Sequence, residues 1–518
     1  PPVADLYAQL AELMCMHRHP GDVVARLTEL ANRAIEDATS DLGSVGEGAS
    51  ITDVTTIEDV IVGDHATIQG AAKLQRGTIL SRSDVVTTIG PGVIAEDFVI
   101  AEAARVDRHA VLSNVYVGQG CRIDRQFSAH HCLMFANCEF THGEAAHVFA
   151  GPYTVTHHKS SLLIAGHLSF FNAGSGANQS NHMYKLGPLH EGKFERGVKT
   201  GSFSYVMWPC RIGPFTVVLG KHRQPMDTGD FPFSVIDELP EGGSLLIPGV
   251  GFATVGTLRD ELKWPTRDRR GGGRRSKRTP FDVLNPMTVG RMIRGRHRLA
   301  EFDRVTDLHV KHVELGGVKL TRNRIARGIE RYDLAIEMYL LDQVLERIDA
   351  GFEVANDAVL DETWIDVGGL IAPRRRIDAL CDAIAAGELG DLDQVSQQFD
   401  AIAAAGPEDT WAWVRAICPK AIDLTIDDLT TNRLLELVDR FAELRRRYLE
   451  AVLTDAGKEF AEPVRIGFGA DDDPESRDPD FHAVRGGFDE NPFVQQVKTW
   501  LDELPDTCEA LRQKVRDR

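Results

Sequence analysis

From Val62 onward the apolar residues of this chain recur every six positions, a spacing that belongs to neither an α-helix nor a hairpin. Val62-Gly63-Asp64-His65-Ala66-Thr67 is followed by units beginning at Ile68 and Leu74, then by Ile89-Gly90-Pro91-Gly92-Val93-Ile94 and Ala95 to Ile100. After an insertion the pattern resumes with Val117-Gly118-Gln119-Gly120-Cys121-Arg122 and Ile123 to Ser128, and Ile212 to Val217 looks like a late member. Each hexad supplies one short flat strand and one turn of a triangular coil, and three hexads stack their aliphatic positions over those of the next coil. The competing fold is a β-sandwich with frequent glycine turns, which would show alternation with turn signals at a wider spacing. The tandem run of one hexad type therefore predicts a β-solenoid, a left-handed parallel β-helix, over residues 50–260.

A chain of 518 residues exceeds what one hydrophobic core supports, and the flanks of the repeat differ from it. Residues 1–49 read as an N-terminal helical segment, Leu6 to Ile35 forming two helices split at His19-Pro20-Gly21. Residues 261–290 read as a basic linker around Arg267 to Arg278, a solvated loop or a neutraliser of acidic surface elsewhere. Residues 291–518 are mainly helical, with amphipathic stretches at Arg324–Ile348, Ile377–Ile384, Leu392–Ala404 and Leu429–Leu453. Phe468 to Asn491 is expected as a mobile loop before a last helix, Phe493–Val515. A net charge of −19 argues against bulk nucleic-acid affinity, and no apolar run is long enough to span a bilayer. A cytoplasmic protein without a membrane partner is expected. The eight cysteines include no C-x-x-C pair and read mostly as buried thiols.

Ten of the eighteen histidines fall between residues 130 and 222, the strongest functional signal in the chain. Eight of them lie in His130-His131, His142 to His147, His157-His158-Lys159-Ser160-Ser161, Asn172 to Lys185 and Lys221-His222, with an apolar stretch, Leu162 to Phe171, among these segments. The sequence resembles the trimeric LpxA-like superfamily, and the segments His157 to Gly166, Asn172 to Pro188 and Ile212 to Leu219 resemble a bacterial family within it known as a conserved domain of unknown function. The likeness spans about residues 50–290. It implies a homotrimer whose active sites lie between subunits, and acyl transfer from acetyl-CoA or another thioester to a small anionic hydroxyl or amine acceptor. In such chemistry a histidine is the general base and an asparagine or backbone amide holds the oxyanion. His182 is the first candidate base, beside Asn181, with His157 and His158 as rivals. Lys159, Lys185 and Lys221 suit an anionic group, and Ser160, Asn172, Gln179, Tyr184 and His222 complete the candidate binding set. Alternatively, these residues satisfy the turns of the coil, where Asn and His tolerate unusual backbone angles.

A second reading takes His142 and His147, five residues apart, as zinc ligands resembling those of γ-class carbonic anhydrases, with His130 and His131 as further ligands. The third histidine of that pattern is missing, because His109 stands 33 residues before His142, which is not a multiple of a coil of three hexads. A third reading is a trimeric sugar-nucleotide-binding or scaffold protein without catalysis. No Gly-rich nucleotidyltransferase signature, P-loop or G-x-S-x-G motif is present.

Overall fold

The computed structural model describes all residues except 1, 2, 5, 19, 20, 41, 181–190, 272–277, 306–311 and 471–472. Its centre is a parallel β-solenoid running from Ser44 to Asp237. One face climbs eleven levels, from Ser44 through Ile61, Thr78, Val99, Tyr116, Leu133, Phe149, His167, Lys193 and Arg211 to Asp227, each residue the ladder partner of the next. Most steps are 16 to 18 residues, and 17 is the commonest, as from Val99 to Tyr116 and from Tyr116 to Leu133. Two steps are longer: Thr78 to Val99 carries an insertion closed by an Arg82–Val85 bridge, and His167 to Lys193 includes residues 181–190.

The hexads work as interior columns. Ile68, Ile89, Val106, Ile123 and Phe140 lie one above another, each fully buried; at roughly 25 cal/mol per Å² of apolar surface a column of this kind is a main stabilising term. Higher levels of the interior depart from pure hydrocarbon, with Thr156, Gln179 and His222 also buried. Between faces the chain turns on single residues with positive φ. One corner is built by Asp59, Arg76, Asp97, Asn114, His131, His147 and Ala165, and another by Gly70, Gly92, His109, Gln126, His142, Ser160, Gly176 and Phe203. A left-handed residue bearing a Cβ costs roughly 1–2 kcal/mol, so polar side chains and glycine are favoured there, but no single residue type marks a corner.

Among the described residues, two helices precede the solenoid, α1 (Ala8–Met16) and α2 (Gly21–Ala38), and eight follow it: α3 (Val255–Thr266), α4 (Pro286–Val305), α5 (Arg322–Glu346), α6 (Arg374–Ala385), α7 (Leu392–Ala421), α8 (Thr431–Gly457), α9 (Pro474–Arg485) and α10 (Pro492–Asp517). The final rung, Val235–Glu238, pairs with Ser244–Ile247, which in turn pairs with Val318–Thr321. The solenoid edge is thus closed by the chain's own later strands. A hairpin of Trp364–Val367 and Leu370–Pro373, with α1, α2, α6 and α7, covers the outward side chains Val99, Tyr116 and Phe149 in a second core. Among the described residues no helix is long and apolar enough to cross a membrane.

One expectation is corrected. Phe468 to Asn491 is not a loop throughout: α9 starts there, its first turn capped by the Asp473 carboxylate, which accepts from the amides of Glu475 and Ser476, with Pro474 at the first helical position. The described part of the basic segment neutralises acids: Arg269 pairs with Glu139 of the solenoid, Arg270 with Asp268 of the segment itself, and Arg278 with Asp400 of α7.

Candidate functional site

The histidines gathered in sequence are sorted by the coil into separate places. Glu139 and His157 stand on one outer face of the solenoid, on adjacent levels where Val155 pairs with Glu139 and Thr156 with Phe140. His157 Nδ1 lies 3.6 Å from Glu139 Oε2, just beyond hydrogen-bond reach, and the other carboxylate oxygen takes Arg269 Nη1 at 2.5 Å. Arg269 is fixed in turn: its backbone amide donates to Asn137 Oδ1 at 2.9 Å and its Nε to the Gly120 carbonyl at 2.7 Å. The corner residue Asn137 therefore fastens the segment that brings a guanidinium to the Glu139–His157 pair. Burial lowers the His157 pKa; Glu139 opposes this, while Arg267, His158 and Lys263 add to it. A neutral imidazole beside a carboxylate and several cations is equipped to accept a proton next to an anionic ligand. His158, Lys159 and Ser160 follow His157 at the next corner, all exposed, and Asn172 is exposed one level on from Val155, paired in register with Lys199. Lys199 is ion-paired with Asp260 of α3, which sets that helix along the same face.

His130, His131 and His147 form a different cluster. His131 and His147 occupy one positive-φ corner on adjacent levels, with rings stacked 4.9 Å apart, and His130 meets the His147 ring edge-on at 5.5 Å. One ring nitrogen from each lies within 4.8 Å of the others, with all three residues exposed. Burial and the two neighbouring imidazoles lower the His147 pKa, which keeps its lone pair free for a metal. His142 does not join it. A three-residue strand, Glu144–Ala146, separates the corner of His142 from that of His147, so the expected His142–His147 pair is replaced by His147 with His130 and His131. Contrary to the expectation from a coil of three hexads, His109 stands a whole number of coils before His142, because coils of 16 to 17 residues place His109, Gln126 and His142 along one corner. Gln126 stands between the two histidines, and among the described residues they belong to no metal-sized group.

Two expected binding residues lie inside the coil. His222 is 1% exposed, with Nδ1 at 2.7 Å from Ser244 Oγ and Nε2 at 3.0 Å from the Leu219 carbonyl; burial lowers its pKa. Gln179 is likewise 1% exposed, its amide without a partner among the described residues. Both are corrected from surface ligand contacts to interior residues, since the alternation of the strand turns them inward. Lys221 is exposed, its amide donating to Glu238. Asn181, His182, Tyr184 and Lys185 lie outside the described residues. Cys121, Cys132 and Cys138 are buried free thiols and belong to no metal-sized group among the described residues. Sequence reasoning missed Glu139 and Arg269, which carry no histidine-like signature and meet His157 only through the coil.

A family model described as a domain of unknown function (DUF4954) matches residues 2–303, and a second, described as a domain of unknown function (DUF6819), matches residues 346–515. An uncharacterised protein of Treponema pallidum (strain Nichols) is 22% identical over 444 residues, which cover 78% of this chain and 60% of that protein. The chain thus spans less than two thirds of this curated relative. Among solved structures, the Francisella novicida UDP-N-acetylglucosamine acyltransferase matches at 16% identity and a TM-score of 0.23, over 43% of this chain and 75% of that one. The Arabidopsis UDP-N-acetylglucosamine acyltransferase matches at 14% identity and a TM-score of 0.18, over 52% and 84%. With the first model spanning more than half of its residues, the chain belongs to the DUF4954 family.

Proposed function

We propose that this protein is a hexapeptide-repeat transferase that moves an acyl group from a thioester, such as acetyl-CoA, to a small anionic hydroxyl or amine acceptor, with His157 as general base. The observation that carries the reading is the Glu139–His157 pair flanked by Arg269, with Arg267 and Lys263 adding positive charge around the ring. His157 takes the proton of the acceptor through Nε2 as the acceptor attacks the thioester carbonyl, and Glu139, facing Nδ1, offsets the charge that forms on the ring; the tetrahedral intermediate then collapses with cleavage of the C–S bond, and the imidazolium returns its proton to the leaving thiolate, releasing the free thiol and the acylated acceptor. Lys159 and the arginines offer the counter-charge for an anionic acceptor. The test is to incubate the protein with acetyl-CoA and a panel of sugar phosphates and amines while following free thiol. H157A should abolish thiol release with the thermal melt unchanged, and E139Q should lower it about tenfold or more. Unaltered release in H157A, with loss in H182A, moves the base to His182.

His130, His131 and His147 favour a second reading, a zinc site, on the ground of their mutual distance alone. Three neutral imidazoles are a fitting donor set for Zn²⁺, which lowers the pKa of a bound water and so supplies a nucleophile. Equilibrium dialysis should give one Zn²⁺ per chain, lost in H147A. Because the three rings must be deprotonated to bind, zinc should be released as pH falls below the histidine range. Stoichiometric zinc in the untreated protein, with no thiol release and no coenzyme A binding, moves the proposal to this reading.

A further inference from the structure

Away from the histidines, α3, α5, α7, α8 and the segment before α4 enclose a cavity of about 820 Å³, a volume ordinary for a small-molecule site. Five carboxylates line it, of which four make no ion pair among the described residues: Asp342 and Glu346 from α5, Glu261 from α3, and Asp282. Glu408, also on the wall, is matched by Arg347 at 2.7 Å. For the four, the wall offers one further cation, Arg445, which lies 5.6 Å over the Tyr448 ring and makes no ion pair among the described residues. The local balance is strongly negative.

The placement of these acids costs the fold something. Asp342 and Glu346 are one helical turn apart, where like charges repel, and they occupy the C-terminal end of α5, where the helix dipole disfavours anions and no basic residue stands in the last turn. On the opposite wall Pro407 lies inside α7 and has no N–H to give the Ala403 carbonyl, and both residues line the cavity. The remaining walls are aromatic, with Tyr339, Tyr448 and Trp411. Trp364, also on the wall, is 5% exposed, and its Nε1 has no partner among the described residues. The acids, the carbonyl and the ring faces attract positive charge. The acids are also spread out: among the described residues the only group close enough to share one metal ion is His130, His131 and His147. A compact metal ion would not neutralise them together, whereas a chain with several amines would.

We propose that this cavity binds an extended organic polycation of the linear polyamine class, its ammonium groups paired with Asp342, Glu346 and Glu261 and its methylenes against the aromatic rings. Burial raises the carboxyl pKa values of Asp342, Glu346 and Glu261; Asp342 adds to the rise at Glu346, Asp282 to that at Glu261, and Arg445 opposes it at Asp342 and Glu261. Affinity should therefore strengthen as pH rises through the carboxylate range and weaken in acid.

The test is calorimetric titration of the full chain with spermidine at fixed ionic strength. Saturable binding of one spermidine per chain is expected, at least tenfold weaker in D342N/E346Q, unchanged in the exposed-acid control E388Q, and not displaced by magnesium at equal ionic strength. Relief of like-charge repulsion should leave the unliganded double variant as stable as the parent or more so, with the ligand-induced rise in Tm lost. Absence of saturable binding, or binding undiminished in D342N/E346Q, overturns the proposal; so does displacement by magnesium. If the double variant does not fold, the single substitution E346Q, at an exposed position, decides in the same way.

Discussion

Glu12 shows how a single buried charge joins the three parts of this chain. It sits in α1, 4% exposed, yet accepts the Gly368 amide of the Trp364–Pro373 hairpin at 3.0 Å and lies 2.8 Å from His167 Nε2 and 3.5 Å from Lys193 Nζ of the solenoid. Burial alone would raise its pKa, but the charges of His167 and Lys193 and the hydrogen bonds from His167 and Gly368 outweigh this and hold it at about 2. Between pH 4.5, its ordinary value, and about 2 the folded state therefore binds fewer protons than the unfolded one. The stability it contributes is full above that window and is lost as pH falls through it. Replacing Glu12 by Gln leaves Lys193 without its buried counter-charge, and should cost about 3 kcal/mol at pH 7. Urea unfolding at pH 7 measures this, and the stability of E12Q should fall less than that of the parent as pH is lowered from 4.5. An unchanged midpoint at pH 7 would mean that the pair is not formed.

At the scale of the element, the corner of the coil decides what can be substituted. Gly92 has φ +72°, and a Cβ there would meet His109 Nδ1 on the next level at 2.1 Å. G92A should destabilise the protein by about 1–2 kcal/mol from the left-handed backbone, with a further loss if the His109 ring has to move; a thermal melt checks it, and an unchanged Tm would contradict the stacked corner. The hexads made the interior columns legible, because Ile68, Ile89 and Ile123 carry their period in apolar side chains. They did not make the corners legible: Arg76, Asn114, His131 and Ala165 share a backbone angle but no chemistry. Coil length was misjudged for the same reason, since a corner that drops one residue leaves the aliphatic positions in place. This is why the histidine cluster, a unit in sequence, separates into a metal-sized group at one corner, His157 beside Glu139 on a face, and His222 in the interior. The helix α9 was missed because its start rests on a cap at Asp473 and not on an apolar period, and only Phe481 of its residues is buried.

For the whole molecule, the remaining question is which surface of the coil is left for another copy. One face is covered by α1, α2, α6, α7 and the Trp364–Pro373 hairpin, which bury Val99, Tyr116 and Phe149. Another carries the Glu139–His157 pair and is approached by α3 and the Arg267–Arg270 segment. The third presents the outward residues of Thr56–Glu58, Lys73–Gln75, Ile94–Glu96, Val111–Ser113 and Ser128–His130, and on it Val111 is 43% exposed. A specific interface needs a face of about 800 Å² per partner, and a flat ladder of this length is suited to it. We therefore predict that this protein is a homotrimer joined through the third face, with His130, His131 and His147 at the edge of the contact. Mass measurement at micromolar concentration should give three copies or a multiple. V111R places a charge on the face without touching the interior, so it should leave the thermal unfolding of the chain cooperative while lowering the mass to one copy. If the parent is itself a stable monomer at that concentration, the trimer is wrong and any active site must be completed within one chain, where α3 and the Arg267–Arg270 segment give the His157 face a second wall.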